Sequence, residues 1–272
     1  MIDTIRARLR QRYRTMGYPD AEPPPLPERF RGVPAIDASK CGEGCTDCAQ
    51  ACPTGAIEVR NSDPQIDLGR CLFCTDCVSA CPAGALEYNG DYRLAVRNRQ
   101  DLLVTSGGEL EHAAALQGRL RKLFGRSLKL RQVSAGGCNA CELDVNVLNT
   151  VGWDLSRFGI QFVASPRHAD GLLITGAISE NMRLALRKTY DAVPDPKIVI
   201  AVGACAISGG PYIDHEEVAN GVEGSLPIDL YIPGCPPHPL TILDGLLRLI
   251  GRIEATKSDA RPQAQRTEES PR

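Results

Sequence analysis

LKLRQVSAGGCNACELDV, residues 128–145, decides the architecture. The short apolar run at 128–133 reads as a strand, the Gly-rich stretch after it as a turn, and the residues from Cys141 onward as a helix. Downstream the pattern repeats. Apolar runs at 160–164, 171–174, 198–202 and 228–232 read as further strands, and helical periodicity at 141–152, 180–191 and 239–252 lies between or after them. That alternation predicts a parallel sheet with helices on its faces, an α/β unit over residues 128–254. Sites in open parallel sheets form outside the carboxyl ends of the strands. Cys138 and Cys141 sit in the turn after the first strand. Cys205 follows IVIAV (198–202), and Cys235 follows IDLYI (228–232). Four thiols are therefore expected at one edge of the sheet. Gly136, Gly137, Gly203 and Gly234 flank them, and the absence of a Cβ lets backbone approach a bulky cofactor. The helix starting near Cys141 is expected to turn its positive end toward an anionic group. Four thiolates fit a [4Fe–4S] cube or tetrahedral zinc. Cys205 and Cys235 could also be small buried hydrophobes, although their Gly and Pro neighbours favour site loops.

The other eight of the twelve cysteines fall upstream, within residues 38–90. CTDCAQACPTGAIEV (45–59) aligns with CTDCVSACPAGALEY (74–88) at an offset of 29 residues. A repeat this short buries little core by itself, so the two copies are expected to pair around something shared. Cys71, Cys74, Cys77 and Cys81 fit C-x2-C-x2-C-x3-C-P, the bacterial ferredoxin run for [4Fe–4S] ligation. Cys41, Cys45, Cys48 and Cys52 repeat it with one extra residue in the first interval. In two-cluster ferredoxins the fourth cysteine of each run ligates the other cluster. The expected sets are therefore Cys41, Cys45, Cys48 and Cys81 on one cube and Cys52, Cys71, Cys74 and Cys77 on the other. Disulfides and zinc account less well for the repeated Cys-Pro. With the sheet-edge four, the count closes at three [4Fe–4S] clusters and no spare thiol.

The flanks are simpler. Residues 1–37 read as an arm and a Pro-rich spacer. Ile2, Ile5, Leu9, Tyr13 and Met16 form a helical apolar stripe suited to another subunit, and AEPPPLPERFRGVP follows it. Residues 91–127 read as a connector with a strand at Tyr92–Val96 and a helix carrying Leu116, Leu120, Leu123 and Phe124. Six basic residues and no acid lie between Arg119 and Arg131, which reads as a solvated face. Residues 255–272 hold no large apolar side chain and are expected to be a disordered tail. Lys and Arg number 31 against 33 Asp and Glu, a balance that gives no electrostatic case for nucleic acid. No apolar run reaches the ~18 residues of a membrane span, and the Arg-rich start lacks the apolar core of a secretory signal. A cytoplasmic chain is expected, its membrane attachment coming only through partners. Walker A, H-E-x-x-H and G-x-S-x-G motifs are absent, so no complete active site is expected in this chain alone.

SAGGCNACELD, ASPRHADGLLITG, GACAISGG and YIPGCPPHP, in that order, resemble the shared module of [NiFe]-hydrogenase small subunits and the complex I 20 kDa subunit. Residues 38–90 resemble a two-[4Fe–4S] ferredoxin domain. The resemblance implies a flavodoxin-like domain, preceded by a small α+β bacterial ferredoxin-like one. It also implies a cluster on Cys138, Cys141, Cys205 and Cys235 beside the active site of a large partner subunit. That partner is a hydrogenase large subunit or its complex I 49 kDa-like counterpart. Glu142, Arg167 and His168 become candidates for the surroundings of that cluster or for the subunit interface, with Gly137, Gly203 and Gly234 close to it. Complex I subunits typically carry adjacent cysteines at the first ligand pair, whereas C138-N-A-C141 has the hydrogenase spacing. The implied match is therefore the small subunit of an energy-converting (group 4) hydrogenase with a ferredoxin domain fused ahead of it. Such a complex lies on the cytoplasmic face of the inner membrane, held there by membrane subunits and fed by an upstream donor subunit or ferredoxin. The alternative the resemblance leaves is a complex I-like NADH:quinone oxidoreductase, whose terminal cluster reduces quinone.

Overall fold

Apolar residues at every position of a strand require cover on both faces, and the strands at 171–175 and 198–202 are buried throughout. The computed structural model describes residues 2–11 and 14–253. Helix α1 (Ile2–Gln11) forms the arm, with Ile2, Ile5 and Leu9 exposed. Tyr13 and the tail at 255–272 lie outside the described residues. Met16 is partly buried, and its amide donates to the Gly152 carbonyl at 2.9 Å.

The repeat region builds two small antiparallel sheets. Strand β1 (Pro34–Ile36) is followed by α2 (Asp47–Gln50), β2 (Ile57–Arg60), β3 (Asp63–Asp67), α3 (Asp76–Ala80) and β4 (Leu86–Tyr88). β1 pairs with β4, and β2 with β3 through Asn61 and Ser62, both at positive φ as a tight two-residue hairpin loop requires. Strand β5 (Leu103–Val104) adds to β3. The pairing thus draws in residues 34–36 ahead of the repeat and 103–104 from the connector.

The strand expected at Tyr92–Val96 reduces to one residue. Val96 and Tyr231 exchange backbone hydrogen bonds of 3.0 and 2.9 Å. The neighbouring strand is only three residues long, so it offers a single outward-facing amide and carbonyl. Helix α4 (Gly118–Phe124) begins after Leu116, because Gln117 is extended and Gly118 lies at φ +56°. Leu116 is buried ahead of the helix and its amide donates to the Leu249 carbonyl.

The remaining elements alternate as expected. They are β6 (Leu128–Ser134), α5 (Ala140–Val147), β7 (Ile160–Phe162), β8 (Gly171–Thr175), α6 (Glu180–Ala192), β9 (Ile198–Val202), α7 (Ala204–Ser208), β10 (Leu230–Ile232) and α8 (Pro239–Leu249). All five strands run parallel in the order β7-β6-β8-β9-β10, the flavodoxin-like sequence. Two helices stop short of expectation. The Thr150 hydroxyl bonds the Val147 carbonyl at the end of α5, and Gly251 at φ +73° turns the chain after α8.

Alternation along the strands divides the core. Leu173, Ile198, Ile200 and Val202 face α5 and α8, meeting Val145, Leu240, Leu243 and Leu247. Leu172, Ile174, Val199 and Ala201 face the other way, toward Leu186 of α6 and Ile207 of α7. The same continuous cluster takes in Ile66, Leu68, Leu86 and Leu102 of the repeat region. The repeat region is therefore one of the layers covering the sheet.

Candidate metal centres

The four distant cysteines meet at the carboxyl ends of the strands. Cys138 lies in the turn after β6, Cys141 on the first turn of α5, Cys205 in α7, and Cys235 after β10. Cys141 and Cys205 are buried, whereas Cys138 and Cys235 are exposed. Burial first, and then the charges of Cys205, Glu142, Cys235 and Cys138, push the Cys141 thiol far above its ordinary range. Cys205 is pushed up to about 11, by burial first and then by Cys235, Cys138 and Glu142. Loop positions in the sequence put these four at one edge, and the structure brings them to one place.

Gly203 shows why the loop after β9 carries no side chain. It sits at φ +89°, and a Cβ there would lie 2.5 Å from the Cys141 sulfur. Gly210, absent from the glycines expected at the site, stands in the same relation to Cys205; its signal is the last glycine of GACAISGG. Gly137 packs on Gly176, and Gly234 on Pro237 of its own loop. Glu142 is buried, and its Oε1 accepts hydrogen bonds from Ser134 (2.6 Å) and Thr175 (2.7 Å). Those hydroxyls end β6 and β8, the neighbours between which the strand order reverses and ligand crevices open. Arg167 and His168 occupy a short 3-10 turn after β7 and are exposed.

The eight upstream cysteines lie in two neighbourhoods. Cys41, Cys45, Cys48 and Cys81 line one cavity of about 340 Å3 with Pro64, Ala85 and Leu86. The extra residue between Cys41 and Cys45 leaves both on its wall. Cys52 crosses to the second copy. Its charge, after burial, raises Cys71, Cys74 and Cys77, and Cys71 reaches about 11. Each Cys-Pro-x-Gly-Ala ends the same way. Gly55 and Gly84 share φ +59°, which swings the Ala56 amide to 3.2 Å from the Cys52 sulfur and the Ala85 amide to 3.3 Å from Cys81. The Tyr88 hydroxyl lies 3.3 Å from the Cys71 sulfur and 3.9 Å from that of Cys77.

The second and third sets adjoin each other. Cys235 is raised by burial and then by the charges of Cys138 and of Cys74, which belongs to the repeat region. Among the described residues, no three His, Cys, Asp or Glu side chains are grouped to hold a single metal ion. The donor chemistry suits a larger group. Four neighbouring thiolates repel one another, and an iron–sulfur cube places cations among them and deprotonates each thiol outright.

Residues 138–249 match the family described as "NADH ubiquinone oxidoreductase, 20 Kd subunit", and residues 40–85 match the "4Fe-4S dicluster domain". The chain is 35% identical over 150 residues to the "probable membrane-bound hydrogenase subunit mbhJ" of Pyrococcus furiosus, covering 55% of this chain and 90% of that one. This chain belongs to the 20 kDa subunit family of complex I and the related hydrogenases. It is 42% identical to "formate hydrogenlyase subunit 7" of Escherichia coli over 53% of its own length, spanning only 56% of that protein. To a subunit of the NADH-quinone oxidoreductase of Clostridium beijerinckii it is 42% identical, over 47% of this chain and 76% of the other. A member of this family is an oxidoreductase subunit, and the dicluster match makes this one a 4Fe–4S protein. No helix among the described residues is long and apolar enough to cross a membrane.

Proposed function

We propose that this chain is the electron-conducting subunit of a membrane-associated oxidoreductase complex. Three [4Fe–4S] clusters would link an upstream donor subunit or ferredoxin to the [NiFe] site of a partner large subunit, where protons are reduced or hydrogen is oxidised. The proposed ligands are Cys41, Cys45, Cys48 and Cys81; then Cys52, Cys71, Cys74 and Cys77; then Cys138, Cys141, Cys205 and Cys235. The observation that carries the reading is the packing of the repeat region onto the sheet edge beside the cysteines, where the buried Ser208 hydroxyl of the Cys205 helix donates at 2.9 Å to the Gly69 carbonyl just ahead of Cys71.

When bound, such clusters supply one-electron transfer. The chain's own residues hold them, exclude water and set their potentials. Leu86 and Pro64 wall the outermost site, and Ala56 and Ala85 aim amides at sulfur. Glu142 fixes the ends of β6 and β8 beneath the innermost site. Exposed Cys138 and Cys235 mark the side we assign to the large subunit, with Arg167 and His168 at the rim of that interface. We assign its attachment to membrane partners, on the cytoplasmic face.

The C138-x2-C141 spacing and the formate hydrogenlyase and membrane-bound hydrogenase relatives favour the [NiFe] partner. The similarity to NADH-quinone oxidoreductase subunits supports a second reading, in which the last cluster reduces quinone at a 49 kDa-like subunit. Elemental analysis of the tagged native complex separates them. Nickel alongside iron supports the hydrogenase, and iron without nickel supports the quinone enzyme. For the chain itself, ~12 iron and ~12 sulfide are expected from three cubes. Cys235→Ser should abolish one cluster signal by electron paramagnetic resonance and spare the other two.

A further inference from the structure

The two copies of the repeat align without a gap from Cys45 and Cys74 onward, so a difference between them at a sulfur stands out. At the end of the first copy the chain places Val59 and at the end of the second Tyr88, positions that the 29-residue offset makes equivalent. Val59 carries no polar side-chain atom. The Tyr88 hydroxyl reaches Cys71 Sγ at 3.3 Å and Cys77 Sγ at 3.9 Å, and among the described residues it has no other hydrogen-bond partner. One other hydroxyl among the described residues nears a sulfur of this set: Thr54 Oγ1, 3.8 Å from Cys52, donates its proton to the Arg70 carbonyl at 2.7 Å. Register fixes the tyrosine. Tyr88 pairs with Pro34 at the end of β4, and its ring packs against Phe73 with centroids 6.0 Å apart.

A hydroxyl with no oxygen or nitrogen acceptor donates to the sulfurs it touches. Hydrogen bonds to cluster sulfurs help set reduction potential, because they stabilise the more negative, reduced state more than the oxidised one. We propose that Tyr88 is a potential-setting residue, its hydroxyl raising the reduction potential of the cluster on Cys52, Cys71, Cys74 and Cys77 above that of its twin on Cys41, Cys45, Cys48 and Cys81. This rests on the ligand assignment under the proposed function. The raised site is the one whose segment packs on the sheet-edge set, the Gly69 carbonyl ahead of Cys71 accepting from Ser208 of the Cys205 helix at 2.9 Å. Tyr88 thereby adds a side-chain donor to the second set beside the Phe73 amide, 3.3 Å from the Cys71 sulfur, and the middle site becomes the better electron acceptor of the pair.

The test is Tyr88→Phe in the full chain, reconstituted anaerobically and titrated electrochemically with detection by electron paramagnetic resonance. The ring and its packing on Phe73 remain, so the fold has no reason to change. The signal belonging to the middle cluster is identified as the one lost in Cys74→Ser. The expected result is a lower midpoint potential for that signal alone, with the other two unmoved. An unchanged potential, or an equal shift of all three signals, overturns the role of Tyr88. Iron is counted in the parent protein first. A value near ~8 instead of ~12 per chain would instead overturn the three-cluster assignment, so the two failures are told apart.

Discussion

A single missing methyl group decides whether the sheet-edge site can close. Gly203 combines φ +89° with a thiol where its side chain would be, so Gly203→Ala meets backbone strain of about 1–3 kcal/mol as well as a collision with Cys141. We expect this variant to fold with its repeat region loaded and to lose the third cluster, lowering iron from ~12 to ~8 per chain; full iron content would mean that Cys141 is not a ligand. Glu142 acts from the opposite side. Its Oε1 is the acceptor for two hydroxyls, so Glu142→Ala removes two hydrogen bonds beneath the site at about 0.5–1.5 kcal/mol each, with the Thr175 hydroxyl left to the Val133 carbonyl at 3.3 Å. Glu142→Gln keeps a carbonyl oxygen there and should melt close to the parent, a comparison differential scanning calorimetry can make.

At the scale of elements, α8 begins on an unusual cap. His238 accepts the Leu240 amide through Nδ1 at 3.1 Å, between the rings of Phe30 and Trp153. Burial holds its pKa below the ordinary histidine value. The folded chain thus resists protonating a group that the unfolded chain protonates more readily. The contribution is complete above the unfolded histidine value and is lost as pH falls through the lower folded one. Between pH 7 and pH 5 the Tm of the parent should therefore fall more steeply than that of His238→Asn, whose amide oxygen caps without titrating; the cap itself is worth about 1 kcal/mol. The five strands and three longer helices of the sheet domain were legible because each apolar run is bounded by turn residues. The thiols were legible because loops after parallel strands share one edge. Val96 was not, since its partner strand is too short to propagate a ladder. Tyr88 was in view within the repeat, yet a sequence does not say which way a ring turns.

For the molecule as a whole, the seam between repeat and sheet decides how many cooperative units there are. The Ser208 hydroxyl donates to the Gly69 carbonyl at 2.9 Å, Arg99 of the connector bridges Asp67 at 2.8 Å and Glu223 at 3.7 Å, and Ile207 is fully buried in the core both regions share. Ile207→Ala should cost about 2–4 kcal/mol, and the far-ultraviolet signal and the cluster absorbance should fall at one temperature. Two separated transitions would show that the halves stand independently. The same layering has a consequence during synthesis. β10 is an outer strand, and an open strand edge invites pairing with any other chain nearby. Both outward-facing groups of Tyr231 are taken by Val96, which leaves the ribosome well over a hundred residues earlier. The plug is already waiting when the edge emerges, so a nascent chain has its own guard against aggregation in place before the hazard exists.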